Sequence, residues 1–152
     1  MPRLGRTTAL AAAAAVLLTT LGCSESEGDR RDAYCAQVKK DAPGLTRAVD
    51  EGGAGAFIDA LPTLRGLASK APSDLKDEWQ TLVNALDGLK SALEETGVSP
   101  DDITGGNLPK DLSREDRRTV RGAASVLSSE EVVTATQGIE QHALDICKQP
   151  LL

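Results

Sequence analysis

The stretch "SDLKDEWQTLVNALDGLKSALEETG", residues 73–97, decides the fold. Its large apolar side chains recur alternately four and three residues apart, which places them on one face of an α-helix. Ser73 is expected to cap the start of this helix and Gly97 to end it. The stripe could form a coiled-coil seam for a partner, but its commoner role is the core face of a central bundle helix, which we favour. The stripe consists of Leu75, Trp79, Leu82, Leu86, Leu89 and Leu93.

Two segments before this stretch also have helical spacing. Residues 30–53 carry apolar side chains on one face, and Pro43 is expected to kink this helix or break it at Ala42. Residues 54–72 repeat the pattern, and Pro62 is expected to divide them into two short pieces. The predicted buried positions are Tyr34, Val38, Ala42, Leu45 and Val49 in the first segment and Phe57, Leu61, Leu64 and Ala68 in the second.

Beyond the central stretch, residues 98–112 are irregular, with one helical turn expected at Ser99–Asp102 and a surface loop after it. Two further helices are expected, capped by Ser113 and Ser128 through acidic residues three positions later. Because no segment alternates apolar and polar residues as a strand does, we predict an all-α fold, a small bundle of four to five helices. The predicted buried positions of the last two helices are Val120, Ala124 and Leu127, then Val132, Ala135, Ile139, His142 or Ala143, and Ile146.

The amino-terminal segment has the pattern of a secretory signal. Two arginines precede an uncharged apolar run, residues 9–21, that is too short for a membrane-spanning helix. The end of this run, residues 19–23, resembles a bacterial lipobox, in which the cysteine carries a diacylglycerol and becomes the mature amino terminus. By this resemblance, residues 1–22 are a lipoprotein signal peptide and Cys23 is the lipid attachment site.

The residues after Cys23 are polar and predict a flexible tether at 23–31, with the helical domain expected at 32–149. Acyl chains on Cys23 would hold this domain at the extracytoplasmic face of the cell membrane. In that oxidising compartment we expect the other two cysteines to pair, so that a Cys35–Cys147 disulfide joins the first and last helices. A metal site is the alternative, but only His142 could join the two cysteines as a ligand.

Composition and charge exclude several classes of function. The net charge of −6 disfavours nucleic acid, whose phosphates are neutralised by Lys and Arg. The aromatic side chains, Tyr34, Phe57 and Trp79, are too few for a base-stacking platform. The single histidine, His142, lacks the partners of a catalytic triad or of a metal site. We therefore expect a protein that is not an enzyme and has no catalytic residues, no metal and no cofactor.

The mature chain resembles small lipoproteins of high-GC Gram-positive bacteria (actinobacteria). The resemblance rests on the lipobox, the pair Tyr34-Cys35, the helix that bears Trp79 and the ending "IEQHALDIC" at residues 139–147. It implies a helical domain attached to the envelope and brings no catalytic residues with it. We expect a non-enzymatic protein that contacts another envelope component. The alternative is a carrier of a small apolar ligand, a lipid or haem, which requires a cavity of roughly 300 Å³ or more lined by aliphatic side chains.

Overall fold

The computed structural model of the protein describes residues 26–52, 55–103 and 107–152. Within these ranges the chain forms α-helices and two short 3-10 turns, at Ser73–Leu75 and Pro100–Asp102, and no β-strand. The prediction of an all-α bundle is confirmed. The helices are α1 (Glu27–Gly52), α2 (Ala56–Asp59), α3 (Leu61–Lys70), α4 (Lys76–Thr96), α5 (Arg114–Leu127) and α6 (Glu130–Asp145).

Helix α4 is the centre of the bundle and contacts α2, α3, α5 and α6. All six residues of the predicted stripe are buried, so the stripe faces the core along its whole length. The helix ends at Gly97, which adopts a left-handed φ of 66° while the N–H of Val98 donates to the carbonyl of Leu93. The core-helix interpretation and the role of Gly97 are both confirmed.

The predicted cap at Ser73 is wrong. Helix α4 begins at Lys76, after a 3-10 turn in which the N–H of Leu75 donates to the carbonyl of Pro72 over 3.0 Å. This tighter turn directs Leu75 into the core and leaves Ser73 outside the helix. The backbone N–H of Ser73 donates instead to the carboxylate of Glu27, 3.2 Å away at the start of α1.

Helix α1 runs through Pro43 without a break, so of the two predicted outcomes, a kink or a break at Ala42, the break does not occur. A proline inside a helix loses one backbone hydrogen bond, but Ala42 and Leu45 on either side are buried, and their packing holds the helical path. Val49, predicted to be buried, is 38 % exposed. Pro62 does separate two short helices, as predicted, because its missing N–H is tolerated in the first turn of α3.

Serine residues cap the starts of the last two helices, one of them at the predicted position. Ser113 caps α5 as expected, since its hydroxyl accepts from the N–H of Asp116 and donates to the carboxylate of the same residue. Helix α6 is capped by Ser129, one residue later than the predicted Ser128. Ile146 is 46 % exposed rather than buried, because α6 ends at Asp145 and the chain then turns Cys147 inward.

The predicted disulfide is present and joins Cys35 in α1 to Cys147, with 5.0 Å between the two Cα atoms. The folded part of the chain extends beyond the expected range 32–149 at both ends. Helix α1 begins at Glu27, so residues 27–31 are helical rather than part of a flexible tether, and Leu151 is buried although it lies past the expected end at 149. The predicted signal peptide and Cys23 lie outside the described residues. No helix in the described ranges has the length and apolar character needed to cross a membrane.

Candidate functional site

An apolar cavity of about 500 Å³ lies beside α4 in the described part of the bundle. Side chains of α2, α3, α4 and α6 form its walls, and the last residue of α5 and the carboxy-terminal residues complete it. It is partly open to solvent. The lining residues are Phe57, Leu64, Leu82, Leu86, Leu127, Val132, Val133, Thr136, Gln137, Ile139, Glu140, Leu151 and Leu152.

Few polar groups reach this cavity, and one of them is satisfied locally. The hydroxyl of Thr136 donates to the carbonyl of Val132 over 2.8 Å, one turn earlier in α6. Gln137 is exposed at the rim, and Glu140 is half-buried. The walls therefore suit an apolar ligand, because they contain few polar groups with which the ligand would have to form hydrogen bonds.

The carboxy-terminal residues turn back along α6 and form one side of the cavity. Lys148 adopts a φ of 57°, which reverses the chain, and the N–H of Gln149 then donates to the carbonyl of Ala143 over 3.2 Å. The N–H of Leu151 lies 3.2 Å from both carboxylate oxygens of Glu140, and the Leu151 side chain is 2 % exposed. The segment is thus held by the backbone hydrogen bonds of Gln149 and Leu151 and by one buried leucine.

His142 lies at a different place, in a smaller cleft between the start of α1 and the end of α6. Its ring packs edge-on against Tyr34 with 5.7 Å between ring centroids, and the indole N–H of Trp79 donates to the Tyr34 hydroxyl over 3.1 Å. Burial raises the pKa of Tyr34 to about 12, because the ionised phenolate would be poorly solvated there. The three aromatic rings form a packed unit of the core.

Ser73 and Asp74 line the same cleft as His142, a combination of residue types that also occurs in hydrolases. No side-chain hydrogen bond joins His142 to either residue, and its Nδ1 atom has no partner among the described residues. At the cleft edge, hydrogen bonds from Ser73, the backbone N–H foremost, hold the pKa of the Glu27 carboxyl below its usual range. Because His142 makes no hydrogen bond to Ser73 or Asp74, no relay from a nucleophile to a base is assembled in this cleft. In the described ranges no three His, Cys, Asp or Glu side chains cluster as metal ligands.

A third feature, not expected from the sequence, is a row of arginines on α5. Arg114, Arg117, Arg118 and Arg121 line a shallow cleft of about 450 Å³. Arg117 donates to the carbonyls of three residues between 109 and 112, which fixes the approach to α5. The ion pairs found within the described part of the chain join Arg65 to Asp87 and Lys90 to Glu94 and leave this row without an acidic partner. The spacing of three and four residues was the signal that could have revealed it.

Within the described residues the disulfide pair was predictable from the sequence, but the cavity was not, because it depends on how α2, α3 and α6 meet α4. No protein-family model, no curated protein and no solved structure matches the chain. The cavity, the His142 cleft and the arginine row are therefore the features from which a function can be inferred.

Proposed function

We propose that this protein is a lipid-anchored carrier of a small apolar ligand on the extracytoplasmic face of the cell membrane. The observation that carries the proposal is the cavity of about 500 Å³ with its largely aliphatic walls. Its volume lies within the range of roughly 300–1,000 Å³ that is typical of small-molecule sites. A carrier requires such a space, whereas a protein that acts only by contact with an envelope component does not.

The walls favour an apolar occupant over water. Water needs two or more polar partners to remain in a cavity, and the leucines, valines and isoleucine that dominate the lining offer none. Val133 and Leu152 at the rim are 43 % and 38 % exposed, and an apolar ligand would cover part of this surface as it enters. Each Å² of apolar surface removed from water contributes about 25 cal/mol, so partial filling already gives useful affinity.

The choice between lipid and haem depends on His142. Haem iron is commonly held by a histidine, but His142 lines the smaller cleft and is not among the residues that line the cavity. We therefore favour a lipid-like ligand over haem.

The location of the carrier rests on the lipobox-like sequence that ends at Cys23 and on the disulfide, which suits an oxidising compartment. Because α1 starts at Glu27, the four Cα steps from Cys23 reach at most about 14 Å. A lipid on Cys23 would thus hold the bundle close to the bilayer from which a ligand could be drawn. Replacing Cys23 by Ser should abolish incorporation of labelled palmitate and move the protein out of the membrane fraction, and unchanged incorporation would exclude this anchor.

The test of the carrier proposal is the mass of the protein extracted from host membranes, measured under native and then denaturing conditions. We expect a non-covalent adduct of several hundred daltons, distinct from the known mass of the detergent. Thr136→Phe places a ring in the cavity and should remove the adduct, whereas Thr134→Phe, which makes the same change at an exposed position outside the cavity, should retain it. A native mass equal to that of the lipidated chain would overturn the proposal.

A second candidate function is contact with an anionic envelope component through the arginine row on α5. Arg118 and Arg121 are exposed, and the hydrogen bond of the Arg118 side chain stays within α5, so Arg118→Glu with Arg121→Glu should leave the fold intact. This double variant should lose a discrete crosslinked adduct in intact cells. Lys39→Glu with Lys40→Glu makes an equal change of charge on α1 and should keep it. An adduct that survives both double variants would assign the contact to another surface.

A further inference from the structure

The polar residues at the rim of the cavity restrict which head group the ligand can carry. This inference rests on the proposed carrier function. Among the lining side chains only Glu140 is charged, and no Lys, Arg or His joins it. The Thr136 hydroxyl donates within α6, so the polar side chains left to meet a head group are the Glu140 carboxylate and the Gln137 amide. The rim is therefore acidic and has no cation to balance a second negative charge.

Glu140 has acceptor capacity to spare. Both of its carboxylate oxygens face the single N–H of Leu151, at 3.2 Å each. An ionised carboxylate offers about four lone-pair sites, so most of its acceptor capacity remains available to a donor from a ligand. A hydroxyl, amide or amine could donate to it, whereas a carboxylate or phosphate head group would be placed beside a like charge without compensation.

We propose that the cavity takes a single-chain amphiphile whose head group donates hydrogen bonds and carries no negative charge. The apolar chain lies against the leucines of α4, and the head group meets Glu140 at the rim. Fatty acids and lipids with an anionic phosphate at this position are rejected by the charge of Glu140 rather than by the size of the cavity. Glu140 is thus a specificity-determining residue.

The experiment uses two photoreactive probes with the same decyl chain and the same diazirine, one ending in a hydroxyl and the other in a carboxylate. Each probe is added to the full-length protein in its membranes, irradiated, and mapped by mass spectrometry to the peptides that line the cavity. The measured quantity is the labelling of a variant divided by that of the wild type for one probe, so that different partitioning of the two probes into the bilayer cancels.

Glu140→Gln removes the charge but keeps an amide oxygen that can accept from Leu151. It should increase labelling by the carboxylate probe about fivefold, equivalent to about 1 kcal/mol at 1.4 kcal/mol per tenfold, which matches two partly solvated charges. Labelling by the hydroxyl probe should change by less than about twofold on the same scale. Glu131→Gln removes an equal charge from α6 outside the cavity and should leave both ratios near one.

Gln137→Lys provides an independent variant, because it adds a cation at the exposed rim, three residues before Glu140 on α6. It should also raise labelling by the carboxylate probe. If neither variant changes the preference between the probes while both probes still label the cavity, the head-group inference is overturned and the carrier function stands. If no probe labels the cavity peptides in any protein, the carrier function itself is overturned.

Discussion

The stability of this bundle should depend strongly on the Cys35–Cys147 disulfide. The bond closes a loop with a sequence separation of 112, which contains most of the helical domain. In the chain-entropy treatment, a loop of this length lowers the entropy of the unfolded chain by about 16 cal/mol/K, or about 5 kcal/mol at room temperature. Domains of this size have about 5–15 kcal/mol in total. Replacing both cysteines by alanine should therefore leave a protein that is only marginally folded.

Urea unfolding followed by the fluorescence of Trp79, the single and buried tryptophan, measures this effect. With a slope of about 1–3 kcal/mol per molar urea, the midpoint should fall by about 2–5 M, or no folded baseline should remain. Wild-type protein in reducing agent should behave like the double variant. Cys23→Ser, which leaves the disulfide untouched, should unfold at the wild-type midpoint. A loss below about 2 kcal/mol, less than half of the loop-closure value, would refute the reasoning from loop length.

Two further predictions concern the core and a helix end. The pKa of Tyr34 is raised to about 12 in the folded protein from an ordinary value near 10, so on raising the pH the phenol of the unfolded chain loses its proton first. The contribution of Tyr34 to the free energy of unfolding should therefore be complete below pH 10. It should fall by about 2–3 kcal/mol as the pH approaches 12. Urea midpoints measured across this pH window test it, and a midpoint that does not fall would contradict it. Gly97→Ala should destabilise the protein by about 1 kcal/mol, since Ala disfavours a φ of 66° although no atom obstructs its Cβ. Gly88→Ala, in the interior of α4 with equally open space, should stabilise or leave unchanged the thermal midpoint.

The sequence by itself determined the features that depend on local spacing and on chemical type. The apolar stripe of α4 identified its buried face, because a helix brings residues three and four apart together wherever it packs. Ser113 and Gly97 were predicted because caps form with backbone groups a few residues away. The disulfide followed from the number of cysteines expected in an oxidising compartment. None of these inferences required knowledge of where another helix lies.

Only the tertiary structure decided the features that depend on packing between distant segments. Pro43 stays inside a continuous helix because buried neighbours offset the missing hydrogen bond. The backbone N–H of Ser73 donates to the carboxylate of Glu27, and Ser73 does not cap a helix. The cavity is the clearest case. Its walls come from four helices and from Leu151, which the chain reversal at Lys148 brings back onto Glu140. Periodicity identifies which face of a helix is apolar, but the space left between several such faces is set by how the helices meet.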